Sequence, residues 1–144
     1  MWDWLYSLAR VLLPVLFIVE GVGQLANINI FADMLQKSNF PLQLELEMLG
    51  SKRFVILGYL AALVEIGCGL MVMLGYRVRL AALVLVAFVI GTIYIGHPFW
   101  LKEGVFRADS LTHALKNLSI IAGLLVFAAY GSGAYALDNR RRRH

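Results

Sequence analysis

Long apolar runs dominate this chain, in place of the alternating apolar and polar stripes of a soluble core. A hydrocarbon layer about 30 Å thick needs roughly 20 helical residues to cross it. Stretches of about that length cover residues 5–27, 54–75, 79–97 and 112–137. The pattern therefore predicts an all-α integral membrane protein, a four-helix bundle that forms a single domain over residues 1–144.

The segment between the first two predicted spans carries its own helical pattern. Phe31, Met34 and Leu35 recur at the i, i+3 and i+4 positions, and polar residues lie off that face. This spacing predicts a short amphipathic helix on the membrane surface in the first outer loop, ended by residues 38–41. Residues 42–47 alternate as in a strand, although a helical lead-in to the second span is slightly preferred.

Composition agrees with the membrane interpretation, since 60% of the 144 residues are hydrophobic and the mean hydropathy is +0.75. The first span opens without a basic cluster and lacks a small-residue cleavage site, so we interpret it as retained rather than as a secretory signal. The sequence has one cysteine, Cys68, which excludes an intrachain disulfide, a CxxC redox pair and a thiolate cluster. We predict no metal site.

The basic residues are distributed unevenly between the two predicted membrane faces. Lys and Arg near span ends are retained in the cytoplasm, so the face that carries Arg10, Arg77, Arg79 and the arginines 140–143 is predicted to be cytoplasmic. With an even number of spans, both termini share that face. The terminal arginines are expected to contact anionic membrane lipid. Nucleic-acid binding is not predicted, because the basic run has no interleaved aromatic residues.

Polar side chains inside the apolar runs are the candidates for chemistry, because a charge near the membrane centre is costly and usually faces a partner or a cavity. Glu65 lies in the second span, about 15–20 Å below the outer surface at 1.5 Å of rise per residue. Glu20 and Gln24 share one face of the outer half of the first span. Four further candidates for an outer-half polar pocket belong to the outer ends of the third and fourth spans: His97, His113, Lys116 and Asn117.

Some of these candidates also have a purely structural interpretation. His97 precedes Pro98 and could simply mark the end of a span, and Lys116 could extend to the outer interface. For Glu65 the predicted depth leaves either a neutral carboxyl group or a paired one. Glu65 is therefore the strongest candidate for a functional or pairing role.

Three stretches of the chain follow one another in a recognisable order. They are residues 10–25, with Arg10 and the sequence Gly-Val-Gly-Gln-Leu; residues 64–82, with Glu65, a Leu-Gly turn and an arginine that opens the third span; and residues 115–138, ending Gly-Ser-Gly-Ala-Tyr-Ala-Leu-Asp. Together they resemble the DoxX family of small four-span bacterial membrane proteins. The resemblance covers nearly the whole chain.

The resemblance implies a location in the bacterial inner (plasma) membrane. For function it implies only loosely an association with membrane oxidoreductase assemblies, oxidative-stress tolerance or quinone-linked sulfur oxidation, since fold transfers more safely than function. One position departs from the family pattern, because the lysine usual in the first signature is Gln24 here. Either Lys116 replaces that lysine as the partner of an acid, or Glu20 and Glu65 are neutral.

The first function hypothesis is a redox-associated subunit whose outer-half pocket accommodates a quinone head group or a lipid. In that pocket Glu65 or Glu20 could exchange protons. His97 or His113 could donate a hydrogen bond to a quinone carbonyl. Autonomous enzyme activity is not predicted, because no flavin motif, metal cluster or activated nucleophile is visible in the sequence.

The alternative is a non-catalytic scaffold or assembly factor for a membrane complex. Its partners would be other membrane redox proteins or further copies of the chain, and Glu65, Lys116 and Asn117 would stabilise helix packing. A haem protein with His97 and His113 as ligands is the least favoured hypothesis, because no feature of the sequence fixes the two rings face to face.

Overall fold

The structure, a computed structural model, describes residues 2–37 and 52–138. The helices whose limits lie within these ranges are α1 (Asp3–Ala26), α2 (Ile28–Lys37), α3 (Arg53–Leu74), α4 (Val78–Gly96), a short 3-10 helix (Phe99–Leu101) and α5 (Gly104–Tyr130). The segments that contain α1, α3, α4 and α5 are long and apolar enough to cross a membrane. The predicted all-α membrane four-helix bundle is confirmed.

The bundle consists of two closely packed helix pairs. α1 packs mainly against α3, α4 packs mainly against α5, and contacts between α3 and α4 join the pairs. The largest group of buried apolar side chains lies where all four helices meet, and it includes Phe17, Val72, Leu85, Leu124 and Phe127. These side chains fill the centre of the bundle.

We call the end that holds the start of α1 and the end of α5 the basal end, and the end that holds α2 the distal end. The basal end carries Arg10, Arg77 and Arg79, so it is the end predicted to face the cytoplasm. That orientation stays a prediction.

The amphipathic segment predicted in the first loop is confirmed as α2. It follows α1 after one residue, Asn27, and folds back onto α3, where Leu35 is buried. Gly58 of α3 permits this approach, because a Cβ atom there would lie 2.7 Å from Ile28 Cδ1 and 3.2 Å from Phe31 Cδ1. α2 is thus held in place by packing against α3, and its amphipathic pattern provides the apolar face for that packing. Residues 38–41 and 42–47, to which a helix end and an alternating segment were assigned, lie outside the described residues.

The fourth span needs a correction, because α5 runs from Gly104 to Tyr130 rather than over residues 112–137. Its start is earlier because the polar residues after Gly104 continue the helix beyond the apolar run that marked the predicted boundary. Its end is earlier because Gly131, with φ 79, has a left-handed conformation that favours glycine and ends the helix. The other three spans agree closely with their predicted limits.

The chain beyond α5 returns across the basal end. The Tyr6 hydroxyl donates a hydrogen bond to the Gly131 carbonyl oxygen at 2.5 Å. Arg10 is 3% exposed and donates from Nη2 to the carbonyl oxygen of Tyr135. Two side chains of α1 thereby hold the segment that follows α5.

Asp138 holds the tight turn between α3 and α4. Its Oδ2 accepts a hydrogen bond from the Arg77 backbone N–H at 2.8 Å, and its own N–H donates to the Gly75 carbonyl oxygen at 3.2 Å. Arg77 has φ 44, a conformation that costs a non-glycine residue roughly 1–2 kcal/mol. The two hydrogen bonds to Asp138 offset part of that cost.

Candidate functional site

The centre of the candidate site is a buried carboxylate in the middle of α3. Glu65 is 2% exposed and lies about 18 Å of helical rise from the start of α3. Its Oε2 accepts a hydrogen bond from Gln24 Nε2 of α1 at 2.5 Å. Gln24, which stands where the family resemblance implies a lysine, is therefore the direct partner of Glu65.

Small residues bring α1 and α3 close enough for this hydrogen bond. A Cβ atom at Gly21 of α1 would lie 2.7 Å from Ile66 Cγ1 and 3.2 Å from the Ala62 carbonyl oxygen. A Cβ atom at Gly69 of α3 would lie 3.4 Å from the Pro14 carbonyl oxygen. Small residues at such positions let membrane helices approach backbone to backbone. The short separation lets a glutamine side chain reach the neighbouring helix.

A cavity of about 290 Å³ lies beside this hydrogen bond, between α1, α2, α3 and α4. Most of its wall is apolar and consists of Phe31, Met34, Leu35, Leu57, Ala61, Ala87, Phe88, Gly91, Ile95 and Gly96. Four polar side chains reach it, namely Glu20, Gln24, Glu65 and Thr92. An apolar space with a few convergent polar groups is typical of a small-molecule site, and this volume is at the lower end of the usual ~300–1,000 Å³.

A surface groove of about 410 Å³ adjoins the cavity between α1 and α2. Cavity and groove share four lining residues: Glu20, Gln24, Phe31 and Met34. Glu20 is exposed and lines both spaces, whereas Glu65 lines the inner cavity. One carboxyl group, that of Glu20, thus lies at the surface of α1, and the other, that of Glu65, lies at the buried end of the cavity.

Part of this cavity wall was not identified from the sequence. Ala87, Gly91 and Ile95 of α4 recur every four residues and face the cavity, as does Thr92, whose hydroxyl donates to the Phe88 carbonyl oxygen at 3.1 Å. The four-residue spacing of Ala87 and Gly91 is a sequence signal for a helix face with small side chains. The position of α2 over the cavity has no such signal, because an amphipathic pattern does not specify which surface the helix covers.

His97 and His113 form a second polar group at the distal end of α4 and α5. Their rings stack with centroids 4.7 Å apart and an angle of 6° between the planes. His113 Nε2 lies 3.8 Å from Asp109 Oδ1. Neither histidine lines the cavity beside Glu65. The structure thus separates the histidines from the glutamates with which the sequence grouped them.

The stacked geometry does not fit haem ligation by both histidines. The lone pairs of an imidazole lie in the plane of its ring, so two parallel stacked rings direct their nitrogen atoms alongside each other. Two axial ligands would have to direct nitrogen atoms toward one iron from opposite sides. Among the described residues, no group of three or more His, Cys, Asp or Glu side chains is placed to hold a metal ion.

Lys116 and Asn117 lie on α5, away from the cavity. Lys116 is exposed and Asn117 is half-buried, and neither contributes to the cavity wall. Within the part of the chain that the structure describes, Lys116 forms no ion pair with Glu20 or Glu65. Gln24, rather than Lys116, is therefore the partner of the buried acid.

Comparison with known proteins places this arrangement in a family. The sequence model of the DoxX family matches residues 5–98, which contain all but the first two residues of α1, the whole of α2 to α4 and the Gln24–Glu65 site. The chain belongs to the DoxX family. The predicted family is thus confirmed, and the match includes every helix that lines the cavity.

Two Escherichia coli proteins and one from Mycobacterium tuberculosis are similar to this chain. Inner membrane protein YphA is 29% identical over 92 residues, which are 64% of this chain and 66% of YphA, slightly less than two thirds of its length. Inner membrane protein YqjF is 34% identical over 130 residues, 90% of this chain and 86% of YqjF. An uncharacterized membrane protein of Mycobacterium tuberculosis is 29% identical over 136 residues, 91% of this chain and 77% of that protein. No solved structure matches the chain.

The family match, the four apolar helices and these relatives agree on one description. The chain is a DoxX-family inner membrane protein.

Proposed function

We propose that the cavity beside Glu65 binds the head group of a quinone and that the protein is a subunit associated with a membrane redox system. The observation that carries the proposal is a buried carboxylate with its amide partner, Glu65 and Gln24, in the wall of an otherwise apolar cavity of about 290 Å³. Apolar walls suit a planar ring, and the few polar groups would fix its orientation.

A quinone supplies carbonyl oxygens that take up protons when it is reduced. Gln24 Nε2 can donate a hydrogen bond to such an oxygen, and the Glu65 carboxyl group can deliver or accept the proton. Glu20 lines both the cavity and the adjoining surface groove, so it can exchange protons between Glu65 and the surface. The electrons would come from a partner membrane redox protein.

The cavity fits a head group and not a whole lipid-soluble molecule. Its volume leaves room for one substituted ring, and the isoprenoid tail would leave through the groove between α1 and α2. Phe31 and Met34 of α2 line both spaces and would contact the ring on one side and the tail on the other. α2 therefore forms part of the proposed site.

The second candidate function is a scaffold or assembly factor without a ligand. The Gln24–Glu65 hydrogen bond favours it, because the bond joins α1 directly to α3 where the two backbones approach closely. A polar contact between membrane helices contributes on the order of 1 kcal/mol, which is adequate for a structural role. Under this hypothesis the protein would hold together a membrane redox complex or associate with further copies of itself.

Quinone retention tests the first proposal. Protein purified in mild detergent would be extracted with organic solvent, and the extract would be measured by mass spectrometry for wild type, Gly91→Leu and Gly67→Leu. A Cβ atom at either glycine meets no heavy atom within 4 Å, but Gly91 lines the cavity whereas Gly67 does not. We expect near-stoichiometric quinone in wild type and in the Gly67 control, and its loss in the Gly91 variant.

Glu65→Gln tests the chemistry of the site, because glutamine keeps the size of the side chain and removes its acid. Loss of quinone from a variant that stays folded supports a role for Glu65 in binding. Equal trace amounts of quinone in all four proteins would overturn the ligand proposal. A lower melting temperature or loss of copurifying proteins in Glu65→Gln would then favour the scaffold.

A further inference from the structure

A second polar cavity lies at the basal end of the bundle, at the other end from α2. It has a volume of about 710 Å³ between the start of α4 and the segment that follows α5. Its polar lining includes Arg77, Arg79, Ser132 and Asp138. Both arginines are exposed, and within the described ranges neither guanidinium forms an ion pair with a carboxylate. Two positive charges and one carboxylate, that of Asp138, therefore border this cavity, and no ion pair among the described residues joins them.

One wall of the cavity is formed by residues 131–133, which contacts with α1 and α4 hold in place. Gly131 and Gly133 both have positive φ, and the Tyr6 hydroxyl holds the carbonyl oxygen of Gly131 at 2.5 Å. Arg79 lies against this segment, because a Cβ atom at Gly131 would be 3.1 Å from its Nε. Asp138 has its Oδ2 engaged by the Arg77 backbone N–H, so this carboxylate is held at the turn. The two guanidinium groups are the positive groups of the wall, and that of Arg77 also lies over the Tyr76 ring, 5.9 Å from its centroid.

An apolar groove adjoins this cavity along the side of the bundle. It has a volume of about 460 Å³ between α1 and α5, two helices that contact each other little. Its wall consists of Tyr6, Ala9, Leu12, Leu13, Gly123, Val126 and Phe127. The groove therefore offers a channel of aliphatic and aromatic side chains along the membrane-spanning part of α5.

The groove and the polar cavity share no lining residue, but one helix and one hydrogen bond connect their walls. Val126 lines the groove, Tyr130 lines the cavity, and these residues lie one helical turn apart on the same face of α5. Tyr6 lines the groove, and its hydroxyl is bonded to Gly131, which lines the cavity. A positively charged end and an apolar channel thus meet at the same place.

We propose that this basal site binds an anionic phospholipid, with the phosphate on Arg77 and Arg79 and one acyl chain in the groove between α1 and α5. Guanidinium groups match phosphate oxygens in geometry and charge. The start of α4 adds the positive end of a helix dipole beside the arginines. The groove argues for a lipid rather than free phosphate, because a free ion would leave it unfilled. The site is separate from the cavity beside Glu65 and does not depend on the quinone proposal.

Lipid titration of the purified protein tests the proposal. Full-length protein in mild detergent would be titrated with phosphatidylglycerol, phosphatidylcholine or inorganic phosphate, with bound lipid counted by native mass spectrometry and thermal stability followed in parallel. Since each arginine near an anionic surface contributes about 1 kcal/mol, we expect Arg77→Gln/Arg79→Gln to weaken phosphatidylglycerol binding about 30-fold. Arg107→Gln, at an exposed arginine near the start of α5, is the matched control and should bind as wild type does.

A third variant tests the groove without changing any charge. Ala9 is exposed and lines the groove, so Ala9→Leu fills part of the channel and should weaken phosphatidylglycerol binding while all arginines remain. Tight phosphatidylglycerol binding that both changes reduce supports the site. The proposal would be overturned if phosphatidylcholine bound equally well, if inorganic phosphate gave the same stabilisation, or if both variants bound phosphatidylglycerol like wild type.

Discussion

The two helix pairs of this bundle are held together by different kinds of contact. Between α1 and α3 the close contacts involve Gly21 and Gly69, and a polar pair, Gln24 and Glu65, crosses the interface. The α4–α5 pair instead contributes larger buried apolar side chains to the core, among them Leu85, Leu124 and Phe127. The α1–α3 pair thus gains close backbone contact, and the α4–α5 pair supplies most of the buried side chains of a core that also includes Phe17 and Val72.

The difference matters because lipid removes the hydrophobic driving force between helices. Apolar side chains are solvated about as well by lipid as by a helix interface. Association of the helices therefore depends on van der Waals fit and on polar contacts. The α4–α5 pair relies on fit alone over most of its length, whereas the α1–α3 pair combines fit with a hydrogen bond. The α1–α3 pair can therefore accommodate a buried acid, because Gln24 donates a hydrogen bond to it. The candidate site accordingly lies beside this pair of helices.

The largest expected effect comes from enlarging a glycine in the α1–α3 interface. Gly21→Val should lower the free energy of unfolding by about 3 kcal/mol, because the added atoms would collide with Ile66 and the Ala62 carbonyl group. Gly23→Val is the matched control, since a Cβ atom there meets no heavy atom within 4 Å. Unfolding of both variants in mixed micelles measures the difference. Equal stability of the two variants would contradict the close α1–α3 contact.

A smaller loss is expected from removing a core side chain of the other pair. Leu124 is fully buried, and Leu124→Ala should cost about 2 kcal/mol, the lower end of the range for soluble cores, because lipid supplies no water-transfer term. Leu118→Ala on the same helix is the control, since that leucine is 58% exposed. The same unfolding measurement compares them. A Leu118→Ala loss as large as that of Leu124→Ala would mean that α5 is not anchored by this core.

Much of the fold follows from the sequence alone. The four spans are set by the length of the apolar runs, and the limits of α1, α3 and α4 agree with that pattern. The limits of α5 did not follow, because its start continues through polar residues and its end depends on the backbone of Gly131 rather than on hydropathy. Hydropathy marks where a chain can lie in lipid, whereas hydrogen bonding decides where a helix begins and ends.

The candidate site follows from the sequence only in part. Depth along each span placed Glu20 and Gln24 in the outer half of the bundle and Glu65 beneath them, and all three line one cavity. The same depth argument grouped them with His97 and His113, which lie on another side of the bundle. The depth of a residue along a helix can be calculated from its number in the sequence. The side of the bundle that its side chain faces depends on how the helix packs against its neighbours.

The smallest expected effect concerns the hydrogen bond that distinguishes the α1–α3 pair. A double-mutant cycle with Gln24→Leu, Glu65→Leu and the combined variant should give a coupling energy of about 1 kcal/mol, within the range found for polar contacts between membrane helices. Unfolding in mixed micelles supplies the four free energies. The cycle removes the separate effects of each leucine, so the coupling reports the contact itself.

Gln24→Lys extends this cycle, because the family resemblance implies a lysine at this position. A lysine at this position can pair with the Glu65 carboxylate, so stability should be kept or raised relative to Gln24→Leu. Thr92→Val is a control for a change in the same cavity wall, since the Thr92 hydroxyl bonds within its own helix and does not join α1 to α3. A coupling near zero between Gln24 and Glu65 would leave glycine contact as the sole basis of the α1–α3 pair. The buried acid would then be held for a ligand rather than for the fold.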